Sequence, residues 1–403
     1  MSTAHAATAE IAANVPRSDM DIFCMDAILH PDDYDVVLRE MAPVVYLDKY
    51  DMYVTGRHEH SQKILANDDQ FSAFKRPFFE PASVRADILI TDDRPKHPRV
   101  RRVIQRAMSP GVMRRMKDEF AAEAERMVKE IMSKGTVELE ARTELVGRYV
   151  LKVFPDIIGL PEEGRDFLLD YGDVVFNTFG PENELYHQTL SKAGPVLEWV
   201  MKACQPEAVA PGLIAAQMYD AVQTGEVDMH EAQLLVLSIL SAGSDSTIAS
   251  LMNTLNAFGR FPGQWDNLRA ESALMRNVLE ESLRYESITR FLGRGVITDF
   301  DIEGVTVPAE AKIGALMYAA GRDPRRWEHA DEFDITRQIV GHIGFGAGIH
   351  ACVGQSVARL ESECLFGALS RHVSRIEIIG DVKPMINNIA HGAFELPLRL
   401  HAA

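Results

Sequence analysis

Apolar residues recur at three- and four-residue intervals from about Pro31 to Val373, and this spacing predicts a mainly helical protein. The longest predicted helix starts at Asp228, an N-cap residue with Glu231 three positions on, and runs to Gly259 ahead of Phe261-Pro262. Another carries Leu274, Val278, Leu279 and Leu283, and a third runs from Gln355 through Val357, Leu360, Leu365 and Leu369. Alternation replaces helical spacing in three places. Val44 to Val54 reads as a hairpin, Arg294 to Ile313 as strands broken at Gly304 and Pro308, and Phe394 to Leu400 as a further strand. No internal repeat or low-complexity linker divides the chain, so one domain over residues 1–403 is expected, with about residues 1–15 flexible.

Two stretches depart from this pattern. Ser241-Ala242-Gly243-Ser244-Asp245-Ser246-Thr247 places small and hydroxylated residues and one carboxylate at the centre of the longest helix, where packing alone favours apolar side chains. Phe345-Gly346-Ala347-Gly348-Ile349-His350-Ala351-Cys352-Val353-Gly354 sets one cysteine in a glycine-rich loop just ahead of the helix from Gln355. Amides and the positive dipole end at that N-terminus stabilise an anion, so Cys352 is expected to reach its thiolate at neutral pH and to ligate a metal. Gly346, Gly348 and Gly354 permit φ > 0 and close backbone approach to a flat cofactor, and Phe345 offers an aromatic wall. Zinc is a poor match, because no second cysteine or histidine follows at ligand spacing. A lone thiolate in such a surround suits haem iron. Cys24, Cys204 and Cys364 match no motif and read as buried free thiols.

The loop Phe345 to Gly354 resembles the haem-binding loop of the cytochrome P450 superfamily. That resemblance implies a mainly α fold, a large helical body around a buried haem b with a small antiparallel β region. It implies Cys352 as the iron ligand and Ala242-Gly243 as the place where the central helix approaches the haem. It further implies Asp245 and Ser246 as an acid-alcohol pair that relays protons during dioxygen activation. A threonine is usual where Ser246 stands, and loss of its β-methyl loosens the hydroxyl's rotamer. His97 and Arg101 in His97-Pro98-Arg99-Val100-Arg101, with Arg294 and His350, fall at the family's propionate contacts. Glu281 and Arg284, at i, i+3 on one helix face, resemble the family's buried ion pair, with Arg337 as the third member.

Composition limits the partners. Asp and Glu total 59 against 42 Lys and Arg, and the net charge of −17 argues against nucleic acid. The alanine-rich N-terminus has neither a basic n-region nor an unbroken apolar run, so a cytoplasmic protein with no membrane anchor is expected. Arg94 to Lys117 inverts the overall charge, with nine cations and no carboxylate. An acidic iron-sulfur ferredoxin, fed by a ferredoxin reductase from NAD(P)H, would dock there, because no flavin or iron-sulfur motif is present in the chain.

Val175 to Gly180, Asp323 to Trp327 and Gly354 to Glu361 resemble the bacterial subfamily that oxidises para-substituted benzoic acids, often by O-demethylation. Phe176 and Phe179 would hold an aromatic ring and Ser238 would face the pocket. This chain departs from that subfamily where relatives place carboxylate-binding or pocket groups. It has Val84 or Arg85, with Asp87 close by, and it has Leu237 and Gly293 at the other two positions. A neutral or phenolic aromatic is therefore the alternative substrate, and a non-catalytic haem protein the alternative of another class.

Overall fold

The computed structural model describes residues 11–73 and 89–403; Val84, Arg85, Asp87 and the first ten residues lie outside them. The central helix begins as its sequence requires. Glu231 N donates to Asp228 Oδ1 at 2.8 Å and Asp228 N donates to Glu231 Oε2 at 3.0 Å, a complete capping box. The expected single helix is divided at Ser244 (φ −82°, ψ −65°) into Met229–Gly243 and Asp245–Arg260. The cause is side-chain competition for the turn's carbonyls. Ser246 Oγ donates to the Ala242 carbonyl and Thr247 Oγ1 to that of Gly243 at 2.9 Å. Met229–Arg260 is long and apolar enough to cross a membrane, but 67% of its most apolar stretch is buried inside the protein, as in a core helix.

The far end of this helix is anchored by aromatics. Phe258 meets Trp265, Phe333 and Phe366 edge-on, with centroids 5.0, 5.6 and 5.6 Å apart. Phe366 belongs to Gln355–His372, the helix that follows the cysteine loop, which packs along Pro110–Met132. Truncating Phe258, which is fully buried, would cost roughly 3–5 kcal/mol. Beside this core, the helix Met275–Tyr285 buries Glu281 and Arg284 completely, as the resemblance implied. Arg284 donates to both carboxylate oxygens of Glu281 at 2.7 and 2.8 Å and to the carbonyls of Gly321, Ala330 and Glu332. Arg337 Nε completes the group, 3.4 Å from Glu281 Oε1.

A six-stranded sheet contains the expected hairpin, Val45–Leu47 against Met52–Thr55, and the strands Phe291–Val296 and Lys312–Leu316. The β region is mixed rather than purely antiparallel. Arg17–Ser18 runs parallel to Val45–Leu47, and Met52–Thr55 parallel to Lys312–Leu316, because long helical connections rather than tight turns join these partners. The strand expected over Phe394 to Leu400 is two, Ala393–Glu395 and Pro397–Ala402, which pair with different neighbours on either side of Leu396.

Candidate active site

The cysteine loop is folded on itself. Cys352 N donates to the Phe345 carbonyl at 2.7 Å and Gly346 N to that of Ile343 at 2.7 Å. Gly346 and Gly348 take φ of +70° and +68°, and a Cβ on Gly348 would lie 2.7 Å from the Ala66 carbonyl oxygen. Gly354 corrects the expectation of a third positive φ: it sits at φ −81° as the N-cap of Gln355–His372. The Cys352 thiol also differs from expectation. Burial pushes it up, against the amides of Gly354 and Gln355 and the guanidinium groups of Arg101 and Arg359, so the helix N-terminus alone does not deliver a thiolate at neutral pH. Burial likewise raises Cys204 to about 12 and Cys364 to about 11. Cys24 is half-exposed rather than buried and caps Met25–Leu29 by accepting from Ala27 N.

Four donors converge beside this loop from three separate segments. The rings of His97 and His350 lie 4.3 Å apart, and Arg101 Nη2 donates to the Ala351 carbonyl. Arg294, on Phe291–Val296, donates to the Gly293 carbonyl at 2.8 Å and to no other acceptor among the described residues. Among the described residues, both ring nitrogens of His97 and Nε2 of His350 are buried without a partner. Burial pushes His97 down to about 4, His350 to about 2 and Arg294 to about 10. A cluster of buried cations and N–H donors, whose neighbouring carboxylate Asp93 accepts from Ser72 Oγ and Ala73 N, fits the two propionates of haem b.

The central helix presents a different face. Leu234, Ser238, Ala242 and Ser246 recur every fourth residue and keep exposure where the rest of the helix is largely buried. Ser238, Ala242 and Ser246 keep this stripe small, and Leu237 borders it, half-buried. Ser238 Oγ donates to the Leu234 carbonyl at 2.7 Å. Gly243 does not serve the close approach expected of it: its missing Cβ would fall 2.0 Å from Phe154 Cζ, so its glycine is explained by packing on Gly147–Ile158. Asp245 and Ser246 are not bonded to each other. Ser246 uses the Ala242 carbonyl, while the fully buried Asp245 accepts from Arg142 Nη2 at 2.9 Å. Burial pushes the Asp245 carboxyl up and Arg142 opposes it. Arg142 was missed by sequence reasoning, since 103 residues of unremarkable spacing separate the partners.

Phe176 and Phe179, at the end of Phe167–Thr178, are half-buried on the apolar cluster that includes Ile22, Phe23, Phe291 and Ile389, and Phe176 also packs on the cluster of Ala249, Met385 and Ala390. Asn177 and Asn183 hold this end to Asn388 through bonds of 2.7–3.2 Å. Gly293 is buried in the sheet next to Arg294.

The cationic stretch is less free than its sequence suggested. Arg99 pairs with Glu231, Arg106 with Glu226, Lys96 with Asp92 and Arg94 with Asp68. Arg102, Arg114, Arg115 and Lys117 are exposed and have no carboxylate partner among the described residues.

The family model for cytochrome P450 matches residues 148–388. Cytochrome P450 CYP199A2 of Rhodopseudomonas palustris is 39% identical over 97% of this chain and 96% of its own length. The chain belongs to the cytochrome P450 family. A steroid C26-monooxygenase of Rhodococcus jostii is 25% identical over 85% of this P450 and 74% of its own length. The solved structure of CYP109Q5 from Chondromyces apiculatus superposes with a TM-score of 0.79 at 24% identity, covering 96% of this P450 and 99% of that chain. As a family member the protein is a monooxygenase that carries haem b on a cysteine thiolate, uses dioxygen, and takes NAD(P)H-derived electrons through redox partners.

Proposed function

We propose that residues 1–403 act as one domain in which Cys352 ligates the haem iron and His97, Arg101, Arg294 and His350 hold the propionates. The unpartnered nitrogens of His97 and His350 beside Arg294 carry this reading. Phe345, Gly346, Gly348 and Gly354 shape the loop under the cofactor, while Ala242, flanked by Gly243, forms the helix surface facing it. The cofactor supplies dioxygen activation and insertion of one oxygen atom into substrate. The chain supplies the rest: Asp245 holds a proton in a dry site, Ser246 Oγ passes it toward the small-residue face, and Phe176 and Phe179 pack the ring and exclude water. Carbon monoxide added to the reduced protein should give the red-shifted Soret band of thiolate ligation, and Cys352→His should abolish it; an unchanged band removes the ligand assignment.

The substrate is a small aromatic, and a para-substituted benzoic acid hydroxylated or O-demethylated at its para group is the favoured reading. It rests on the sequence resemblance and on the aromatic pair beside the central helix. Arg85 would pair the carboxylate near Asp87. A neutral or phenolic aromatic is favoured instead by the uncharged Leu237 and Gly293, since an unpaired buried carboxylate is costly. Titrating para-methoxybenzoate beside its neutral amide decides between them: a larger spin-state shift with the amide removes the carboxylate reading. Reduction by an acidic ferredoxin, itself served by a ferredoxin reductase, would use the free cations Arg102, Arg114, Arg115 and Lys117, in the cytoplasm.

A further inference from the structure

Residues 385–392 form a segment held from two sides. On one side His391 N donates to the Ile288 carbonyl and Arg290 N to that of Ile389, both at 2.8 Å, and the His391 ring meets Glu286 Oε1 at 2.7 Å. Asn387 Oδ1 closes the segment on itself by accepting from the amides of Ile389 and Ala390 at 2.9 and 3.0 Å. On the other side two asparagines reach the end of Phe167–Thr178. Asn388 N donates to Asn177 Oδ1 at 3.0 Å and Asn388 Nδ2 to the Asn177 carbonyl at 3.2 Å, while Asn387 Nδ2 and Asn177 Nδ2 share Asp173 Oδ1 at 2.8 and 3.0 Å. Asn183, which caps Glu184–Ala203 by accepting from Tyr186 N, forms with Asn388 a reciprocal amide pair of 2.7 and 3.1 Å. Gly180 permits this approach, because a Cβ there would lie 2.4 Å from Asn388 Cβ. Asn177, Asn387 and Asn388 are all buried. Burying amides has a desolvation cost that their bonds roughly offset, and apolar side chains of similar size would hold these elements as firmly. What the amides add is direction, since paired hydrogen bonds admit one distance and one angle where apolar contacts admit several. The residue they hold, Asn177, directly follows Phe176 and lies two positions before Phe179. The segment that holds it supplies Met385, Ile389 and Ala390 to the apolar clusters on which those two rings pack.

We infer that Asn388, clamped by Asn177 and Asn183, is a positioning residue that sets the angle of the Phe176 and Phe179 rings and, through them, which substituent of an aromatic substrate is presented for oxidation. This deepens the reading of Phe176 and Phe179 as the walls of the substrate ring and rests on it. The side-chain amide of Asn388 is fully used by Asn177 and Asn183, so it acts through the helix end rather than on the ligand. With the clamp loosened, the end of Phe167–Thr178 shifts against residues 385–392 and a bound ring takes more than one orientation. A displacement of about 1 Å at the reacting atoms is worth on the order of a hundredfold in rate, so the choice of position responds more steeply than stability does.

The holoenzyme is tested with a benzoate bearing one meta and one para methoxy group, or with its neutral amide if that is the ligand that shifts the spin state. Oxidation of either methoxy carbon releases formaldehyde and leaves one of two isomeric phenols, so the product ratio reads orientation directly. Spin-state shift, product formed per NADH and melting temperature are followed beside it. Asn388→Ala should lower the para-to-meta ratio by about tenfold. Asn183→Ser keeps a hydroxyl to cap Glu184–Ala203 but is too short for the amide pair, and it should lower the ratio by about threefold. Phe176→Leu and Phe179→Leu should shift the ratio as well. Asn277→Ala, which frees the Ile335 and Arg337 carbonyls, should lower the melting temperature at the parental ratio and so separates positioning from general destabilisation. Should Asn388→Ala fail to load haem, Asn183→Ser carries the test. A shifted ratio in the phenylalanine variants together with parental ratios in the asparagine variants that load haem overturns the clamp and leaves the ring reading standing. Parental ratios in the phenylalanine variants, or no turnover of either compound, overturn the ring reading and the clamp with it.

Discussion

Arg284 and Arg142 are both buried arginines bonded to a buried carboxylate, yet their surroundings are completed differently. Arg284 has Glu281 and three backbone carbonyls on its donors, whereas Arg142 has one oxygen of Asp245, an aromatic ring and a bare Nη1. The first arrangement locks a helix to the segment from Gly321 to Arg337. The second leaves one donor unspent among the described residues. Arg294 and the two histidines extend the contrast, since Arg294 has one hydrogen bond, to the Gly293 carbonyl, and the His97 nitrogens and His350 Nε2 have no partner among the described residues, an arrangement suited to carboxylates from outside the chain. For these arginines, donors fully spent on the protein mark architecture, while the histidine nitrogens beside Arg294 stay open for a ligand.

The contrast breaks most severely if the saturated pair can be opened without damage. Arg284→Ala leaves Glu281 as an uncompensated buried charge and is expected to cost roughly 3–5 kcal/mol, read as loss of folded, haem-loaded protein. Survival at the parental melting temperature would contradict the division.

Glu361 tests it from the other side. It is fully buried on the cysteine-loop helix, its oxygens have no hydrogen bond of normal geometry among the described residues, and burial, opposed by the nearby Thr247 hydroxyl, holds its carboxyl well above its ordinary 4.5. Below that value both folded and unfolded states are protonated and nothing is lost. Above it only the unfolded chain releases the proton, so stability falls by up to about 1.4 kcal/mol per pH unit until the folded acid titrates. Glu361→Gln should therefore match the parent near pH 4.5 and exceed it increasingly toward pH 7 in thermal unfolding. A constant offset across that range would show that Glu361 is not a buried neutral acid.

Arg294→Ala should weaken haem retention by roughly tenfold or more, the scale of one charge-assisted bond, measured by transfer of haem to a scavenger protein. The cofactor-free protein should lose little stability, because a buried cation held by one hydrogen bond, to the Gly293 carbonyl, is removed. Unchanged haem transfer would place the propionates elsewhere.

The smallest effects belong to surface charge. Arg102→Glu and Arg115→Glu should each slow reduction by an acidic ferredoxin about severalfold at low ionic strength and little at high salt. Arg106→Glu should do less, since Glu226 already balances Arg106. Equal effects from all three would mean that the ion pair does not shape the docking field.

Much of the architecture was legible along the chain because its signals are local. The capping box at Asp228, the hairpin from Val45 to Thr55 and the glycine turns at Gly346 and Gly348 depend on neighbours within a few residues, so spacing and residue type suffice. The break at Ser244 has a local cause too, in the hydroxyls of Ser246 and Thr247, but whether such groups bond to their own helix or to other partners depends on what surrounds them.

By itself the sequence determined a mainly helical protein, the loop that presents Cys352, the central helix with its polar interruption, and the residues able to bind carboxylates. Only the tertiary structure decided which charges are spent. It paired Arg106 with Glu226 across 120 residues and Arg142 with Asp245 across 103, it set Phe154 against Gly243, and it brought His97 and His350 together beside Arg294 with histidine nitrogens unpartnered among the described residues. Hydrogen bonding and charge pairing act over a few ångströms in space, so a residue's function stays open until the fold has chosen its neighbours.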